Sequence, residues 1–181
     1  LDAIAFGCGP GAFTGLRTAC SVAQGLAFGA GKPVLPVDSL MLVAQDARNQ
    51  HAADEIWVAM DARMDEIYAA AYRWQGSRWS VSSAPALYAV EVLNSRWQAA
   101  PPAVIAGSAL DAFGERLHTA AALRVAQPRS RAQALAEVAQ QLWVDGKAVD
   151  AAHALPVYLR DKVAQTTVER EAIRLAKEAA A

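Results

Sequence analysis

An excess of charge of either sign is missing: 17 Lys and Arg stand against 18 Asp and Glu, a formal net charge of -1. Such a chain has no electrostatic footprint with which to hold a phosphate backbone unaided, so a nucleic-acid role has to run through a partner. Long apolar runs are missing too. Each is broken by polar residues before the roughly 18 positions a membrane span requires, and the first residues lack the basic-then-apolar order of a signal peptide. A cytoplasmic chain with no membrane partner is expected. Cysteine is scarce, with Cys8 and Cys20 the two present; a disulfide framework is excluded, neither has the near neighbours of a zinc site, and both read as reduced, small buried residues. Histidine is scarce as well. His51, His118 and His153 are far apart, with no H-x-x-x-H pair to grip a metal from one helix face, and each reads as a surface or boundary residue. Apolar mass is what the chain has in quantity: 54% hydrophobic against 19% charged over 181 residues gives one or two globular domains and excludes disorder and collagen-like structure.

Periodicity and turn signals divide the chain into elements. Leu1 is not a Met, and the sequence enters a strand over 3–6 directly, as if something were missing upstream. A glycine-rich bend over 7–15 leads into an Ala-rich helix from 13 to about 29, ended by Gly29 and Gly31. A short strand over 32–37 follows, between Pro33 and Pro36, and then a helix to about 49 capped by Asp38 or Ser39. After a polar break at 51–55 come three consecutive strands over 56–61, 66–74 and 78–88, the last two joined at Gln75-Gly76-Ser77. The remaining expectations are a helix over 90–99, a strand over 103–106, a short helix from 109 to about 117, a strand over 123–126, and a helix over 130–143 with Ser130 as its cap and Gly146 as its stop.

Set side by side, the last four elements of the second half, strand-helix-strand-helix, match the whole of the first. A βββαβαβα unit is what ribonuclease-H-like lobes look like, and two such lobes make the actin-like ATPase (ASKHA) architecture. On this α/β reading, residues 1–53 are the C-terminal part of an incomplete first lobe, 54–148 a second lobe, and 149–181 a tail with a helix. The alternative is one mixed α/β domain that begins naturally at residue 1. The repeat reading is preferred.

The most specific stretch is Gly9-Pro10-Gly11-Ala12-Phe13-Thr14-Gly15-Leu16-Arg17. It closely resembles the GPGSFTGLR-type loop of the TsaB (YeaZ) family, with Ala12 in place of the usual Ser. Two further stretches fit that family in the same order. Asp61-Ala62-Arg63-Met64-Asp65-Glu66-Ile67-Tyr68 is similar to its DAR-x-x-E-V-Y hairpin, and Pro156-Val157-Tyr158-Leu159-Arg160 to its P-x-Y-L-R ending. The family normally opens with a further acidic, Ser/Thr-rich strand turn and a first helix, which this sequence lacks, and the stretch from Gln165 runs on past the expected end. The resemblance implies a non-catalytic scaffold or activator for a TsaD-like subunit, which transfers a threonylcarbamoyl group to an adenosine beside the tRNA anticodon, in a complex with a TsaE-like ATPase. tRNA is then met only through the complex. It also implies a partner interface on the first helix, at Phe13, Thr14, Arg17, Ser21, Gln24 and Phe28, with Gly9, Pro10, Gly11 and Gly15 shaping the approach. A homodimer or self-association is expected of the chain alone. The rivals are a glycoprotease-like peptidase and a free-standing nucleotide-binding protein.

The residues constrain the chemistry further. A glycine loop at a helix N-terminus can cradle phosphate, but no G-x-x-x-x-G-K-[ST] window is present and no Lys follows the loop. Packing explains the glycines as well: the strand-to-helix bend needs positive φ, and small residues let a helix approach its neighbour. From Thr18 through Gly31 no residue is charged. Ala19, Ala23 and Ala27 make one stripe, Val22 and Leu26 an apolar ridge, and Ser21, Gln24 and Phe28 a third face, so this helix is expected to be covered on both sides, by its sheet and by a second helix or another subunit. Neither cysteine has a visible His partner and Ser39 lacks nucleophile-elbow glycines, so nucleophilic catalysis is unsupported. Asp61, Asp65 and Glu66 offer oxygen ligands of the kind Mg²⁺ takes, but with Arg63 among them they read as an ion-paired hairpin. Trp57, Trp74, Trp79, Trp97 and Trp143 read as core and strand-face packing rather than base platforms, and Arg124, Arg129 and Arg131 as a solvated cluster. No metal and no cofactor is expected.

Overall fold

The computed structural model describes residues 1–160. The expected tail helix, with its Thr166-Thr167-Val168-Glu169 capping pattern and its stripe of Val168, Ala172, Leu175 and Ala179, lies outside the described residues. The element order is β1 (Ile4–Gly9), α1 (Phe13–Ala30), β2 (Val34–Asp38), α2 (Ser39–His51), β3 (Glu55–Asp61), β4 (Glu66–Trp74), β5 (Trp79–Ala89), α3 (Val90–Ala99), β6 (Val104–Ala106), α4 (Ala109–Phe113), β7 (Leu123–Val125) and α5 (Arg131–Val144). β1 and β2 pair in parallel across the α1 crossover, from Ile4 opposite Val34 to Gly9 opposite Asp38. The second sheet has the order β5-β4-β3-β6-β7, antiparallel through β5, β4 and β3 and parallel from β3 through β6 to β7. A mixed sheet follows from the connections. Short turns join β3, β4 and β5, while helices carry the chain between the parallel strands.

Strand alternation assigns the larger sheet two buried faces. Ile56 and Val58 of β3, Ala70 and Tyr72 of β4, and Val104 and Ala106 of β6 pack with α2 and α5. Their neighbours Trp57, Ala59, Ile67, Ala69, Ala71 and Ile105 pack with Leu93, Trp97, Leu110 and Phe113 on the other side. Helix α2 is buried from Leu42 through Ala47, because it lies between the two sheets and against α5. Its two buried polar side chains are satisfied. Gln45 accepts from Trp79 Nε1 at 2.7 Å and donates to Asn49 and Glu137, while Asp46 accepts from the Arg129 and Ser130 amides and so fixes where α5 starts.

Asp38 joins the two sheets. One carboxylate oxygen caps α2, accepting from the amides of Leu40 at 2.8 Å and Met41 at 3.4 Å. The other accepts from the Tyr72 hydroxyl of β4 at 2.5 Å. Burial raises the Asp38 carboxyl, partly offset by the bonds it accepts, and burial followed by the Asp38 charge raises the Tyr72 phenol.

Most boundaries fall within one or two residues of the sequence reading, and three departures have a physical cause on view. β1 runs to Gly9 rather than stopping at Phe6, because Phe6 and Cys8 alternate inward and α2 crowds Gly7: a Cβ there would stand 3.2 Å from Ser39 Oγ. β2 begins at Val34, because Gly31 and Lys32 are still closing α1: Gly31 is left-handed and the Lys32 amide donates to Ala27 O. α4 stops at Phe113, since Gly114 leaves the helical region at φ 52 and ψ -125, and a 3₁₀ turn over Gly114–Arg116 completes the stretch.

Gly107, at the end of β6, has φ +122, and a Cβ there would stand 2.3 Å from Ala59 O and 2.9 Å from Met60 Sδ. Gly107→Ala is therefore expected to lower the unfolding free energy by about 2–4 kcal/mol, from backbone strain and overpacking together; urea unfolding measures it. Tyr72→Phe is expected to remove about 1.5–3 kcal/mol at pH 7 by stripping the half-buried Asp38 carboxylate of a donor. The phenol is raised above its ordinary value of 10.0, so its contribution is full below pH 10 and drains away as pH rises past it. Urea melts of both proteins at pH 7 and pH 10.5 should show the deficit shrinking.

Candidate functional site

Helix α1 turns Leu16, Cys20, Ala23 and Ala27 inward, the last three onto Phe6, Cys8 and Val34 and onto Ala151 and Ala154 of the segment that follows α5. Its opposite face has no cover among the described residues. Thr14, Arg17 and Ser21 are exposed, and so are Val22, Leu26 and Phe28, at 55%, 57% and 64%. The two-sided covering expected of a charge-free helix is thus met on one side by this chain. Gly15, Gly25 and Gly29 have ordinary helical backbone, and a Cβ at any of them would meet nothing within 4 Å. Mid-helix glycine costs roughly 0.5–1 kcal/mol relative to alanine, and no contact among the described residues calls for it at 25 or 29.

The residues singled out from sequence separate when placed on this helix. Phe13, half-buried, lies 5.1 Å from the Tyr158 ring, and the Arg17 guanidinium lies 3.7 Å from the Phe13 centroid and donates to the Tyr158 hydroxyl. Thr14, Ser21 and Phe28 face outward. Gln24 does not: it is half-buried and its amide donates to the carbonyls of Ala151 and Ala154. In its place the outer face presents Val22 and Leu26, which the sequence reading set apart as a separate ridge.

The loop before α1 also departs from expectation. Positive φ occurs at Gly9 but not at Gly7, Gly11 or Gly15. Gly9 has φ +130, and a Cβ there would stand 2.3 Å from Val157 O, so this glycine admits the C-terminal segment. Its amide donates to Ser39 Oγ, and the Gly9–Pro10 peptide is cis. Helix α1 then starts from Ala12 with no side-chain cap.

Two motifs more than 90 residues apart in sequence meet beside this loop. Arg160 donates to Glu66 Oε2 at 2.5 Å and to Arg63 O at 3.1 Å, and its guanidinium also reaches Met64 Sδ. The hairpin carries ion pairs, but only one of them is internal. Arg63 pairs with Asp61 at 3.1 Å, whereas Asp65 takes a bidentate grip from Arg116 and Glu66 pairs with Arg160. The Arg116 guanidinium holds the Asp65 carboxyl below the usual range. Arg63, Met64 and Asp65 have φ of 63°, 56° and 64°, three consecutive left-handed residues without a glycine. No turn signal in the sequence announces this, and Arg116 was not singled out at all. A cleft of about 490 Å³ opens between the loop, the hairpin and the C-terminal segment, lined by Pro10, Phe13, Ser39, Asp61, Arg63, Tyr68, Tyr158 and Arg160 among others, with Pro156 just outside.

The remaining candidates are scattered. The three histidines are exposed at the end of α2, ahead of β7 and in the segment after α5. Cys8 and Cys20 are buried, and desolvation first and Asp38 second push the Cys8 thiol up to about 11. Among the described residues no group of three or more His, Cys, Asp or Glu is placed to hold a metal, and no helix is long and apolar enough to cross a membrane. Trp57, Trp79 and Trp97 are core, Trp74 meets Trp79 edge to face and lies under Arg48, and Trp143 is 46% exposed. Arg124 donates to Leu110 O and Arg131 faces buried Asp46 at 3.8 Å, so two of the three arginines of that cluster are engaged within the fold.

Comparison with known proteins agrees with the motifs. A family model described as TsaD, tRNA N6-adenosine threonylcarbamoyltransferase, matches residues 1–176. The tRNA threonylcarbamoyladenosine biosynthesis protein TsaB of Escherichia coli (strain K12) is 36% identical over 179 residues, covering 91% of this chain and 73% of that protein. TsaB of Haemophilus influenzae is 53% identical over 68 residues, 38% of this chain and 29% of that one. Among solved structures, YeaZ from Pseudomonas aeruginosa has a TM-score of 0.77 at 39% identity, covering 88% of this chain and 74% of that one. Another from the same organism, described as an uncharacterized protein with similarity to peptidase YEAZ, has a TM-score of 0.79 at 40% identity over the same shares. With a family model spanning nearly its whole length and a relative matched over most of both chains, this chain belongs to the TsaB/YeaZ family of tRNA threonylcarbamoyladenosine biosynthesis proteins.

Proposed function

We propose that this chain is a non-catalytic scaffold that carries a TsaD-like threonylcarbamoyltransferase on the outer face of α1, the chemistry on the adenosine beside the anticodon being done by that partner. The observation that carries this reading is the face itself: an uncharged stretch from Thr18 to Gly31 that leaves Val22, Leu26 and Phe28 exposed. A contiguous apolar helix face of this kind is a protein-binding surface, and glycines at 25 and 29 admit a second backbone close to the first. Arg17 stands at one end as the face's charge, suited to a carboxylate on the partner.

The same reading places a TsaE-like ATPase in the assembly, leaves tRNA to the complex, and lets α1 pair with a second copy when the partner is absent. It takes residues 1–53 as the incomplete first ribonuclease-H-like lobe, with β1, α1, β2 and α2, and 54–148 as the second. The exposed, dispersed histidines and the buried cysteines support a subunit without its own catalytic centre. A peptidase rests on the name attached to a similar structure.

Leu26→Asp is expected to weaken calorimetric binding of the TsaD-like subunit by about thirtyfold or more, the loss of a central apolar anchor. Arg17→Glu should weaken it by about tenfold. Leu26 is exposed, so its variant should keep the wild-type melting temperature, whereas Arg17→Glu also gives up the bond to Tyr158 and the contact on Phe13 and should melt slightly lower; unchanged affinity for both variants would sink the proposal. Light scattering of the chain alone should show mass rising with concentration, and Leu26→Asp should return it to the monomer.

A further inference from the structure

After α5 the chain crosses the molecule from one side to the other on a series of anchors. Val149 exchanges two 2.9 Å backbone bonds with Val34 at the edge of the small sheet. Next it passes under α1, where Cys20 Sγ donates to Ala154 O at 3.3 Å and Gln24 donates to Ala151 O and Ala154 O. The Val157 amide then donates to Cys8 O at 2.7 Å, next to the Gly9 backbone that leaves room for it. The last anchor is Arg160, whose side chain is 13% exposed and grips Glu66 and Arg63 O on the β3–β4 hairpin. Among the described residues little covers the segment from outside: Leu155, Val157 and Tyr158 are 70%, 44% and 43% exposed. Beneath it lie Cys8 and Cys20, at 6% and 4% exposure, in a cluster with Ala151 and Ala154.

We propose that residues 151–160 form a strap latched by Arg160, and that release of the latch lifts the strap from Cys8 and Cys20 and uncouples helix α1 from the β3–β4 hairpin. The latch explains what the two distant motifs do for each other. Arg160 supplies a cation to Glu66 and a donor to the carbonyl of Arg63, the first residue of the left-handed turn. Arg116 holds the same turn from the other side through Asp65. Tyr158, two residues before the latch, carries the strap onto Phe13 and Arg17. The strap therefore has one end on the hairpin and its middle on the first turn of α1, and neither can shift without it. The latch consists of contacts within this chain, so it stands or falls apart from the partner reading.

The chain's own thiols report on it, since Cys8 and Cys20 are the two cysteines of the sequence. Ellman's reagent in excess, on the full chain, reads the fraction of time the strap is lifted when opening is fast relative to reaction. Arg160→Ala is expected to raise the thiol reaction rate by about tenfold or more, the loss of a charge-assisted bond in a partly buried site. Glu66→Gln, which keeps shape and loses the charge, should give a smaller rise. Arg116→Ala, which removes the grip on Asp65 and leaves the Arg160–Glu66 pair in place, should raise the rate less than Arg160→Ala does. Amide exchange at Val157 should quicken in Arg160→Ala while the amides of α2 keep their protection. Two results would overturn the proposal: thiols as slow in Arg160→Ala as in the wild type, or a rise no larger than the change in global stability by urea unfolding accounts for.

Discussion

One half-buried carboxylate sets the relation between the two sheets. Asp38 ends β2, caps α2 with one oxygen and receives the Tyr72 hydroxyl of β4 with the other. Helix capping is a local requirement, and any Asp, Asn, Ser or Thr would meet it. The bond from Tyr72 is not local, and it makes the start of α2 and the middle of β4 one rigid corner. Helix α2 then has no free face. It packs against β3 and α5, and its start backs the small sheet through Ser39, so the placement of every other layer follows from where Asp38 puts its first turn. Burying a carboxylate is expensive unless its lone pairs are filled, and here they are filled from two directions.

Much of the fold was legible in the sequence because its signals are local. The strand-turn-strand order around Gly76, the cap at Ser130 and the αL glycine at 31 are written in residues within a few positions of one another, and the elements fall there. The misplaced boundaries have long-range causes. β1 continues through Gly7 and Gly9 because α2 and the strap press on those positions, which glycines normally associated with a bend do not reveal. The left-handed run Arg63-Met64-Asp65 contains no glycine or asparagine, and what holds it is arginines 51 and 97 residues away along the chain. Local propensity carries no record of such partners.

The candidate site divides in the same way. That α1 lacks charge was plain from the sequence, and so was the need to cover it. Which side the chain covers was not, because the cover comes partly from Ala151 and Ala154, more than 120 residues on. Helical period alone puts Gln24 with Ser21 and Phe28. The carbonyls of the strap turn it inward, and Val22 and Leu26 are left outside. Two family motifs that looked independent became one feature once Arg160 was seen beside Glu66. The resemblance pointed to those residues without assigning them work, and the geometry gives them a shared structural task.

The strap also orders events in time. Its contacts with Cys8 and Arg17 close loops of about 140 residues, among the widest in the chain. During synthesis at roughly 5–20 residues per second, β1, α1 and β2 leave the ribosome on the order of ten seconds before the residues that seal them. Throughout that interval Ala23, Ala27 and both thiols lack part of their cover, while the larger sheet, built from closer neighbours, can already form. The β1–α1–β2 segment is thus made well before it is finished, and the nascent chain shows helix α1 to its surroundings on both faces before it shows it on one.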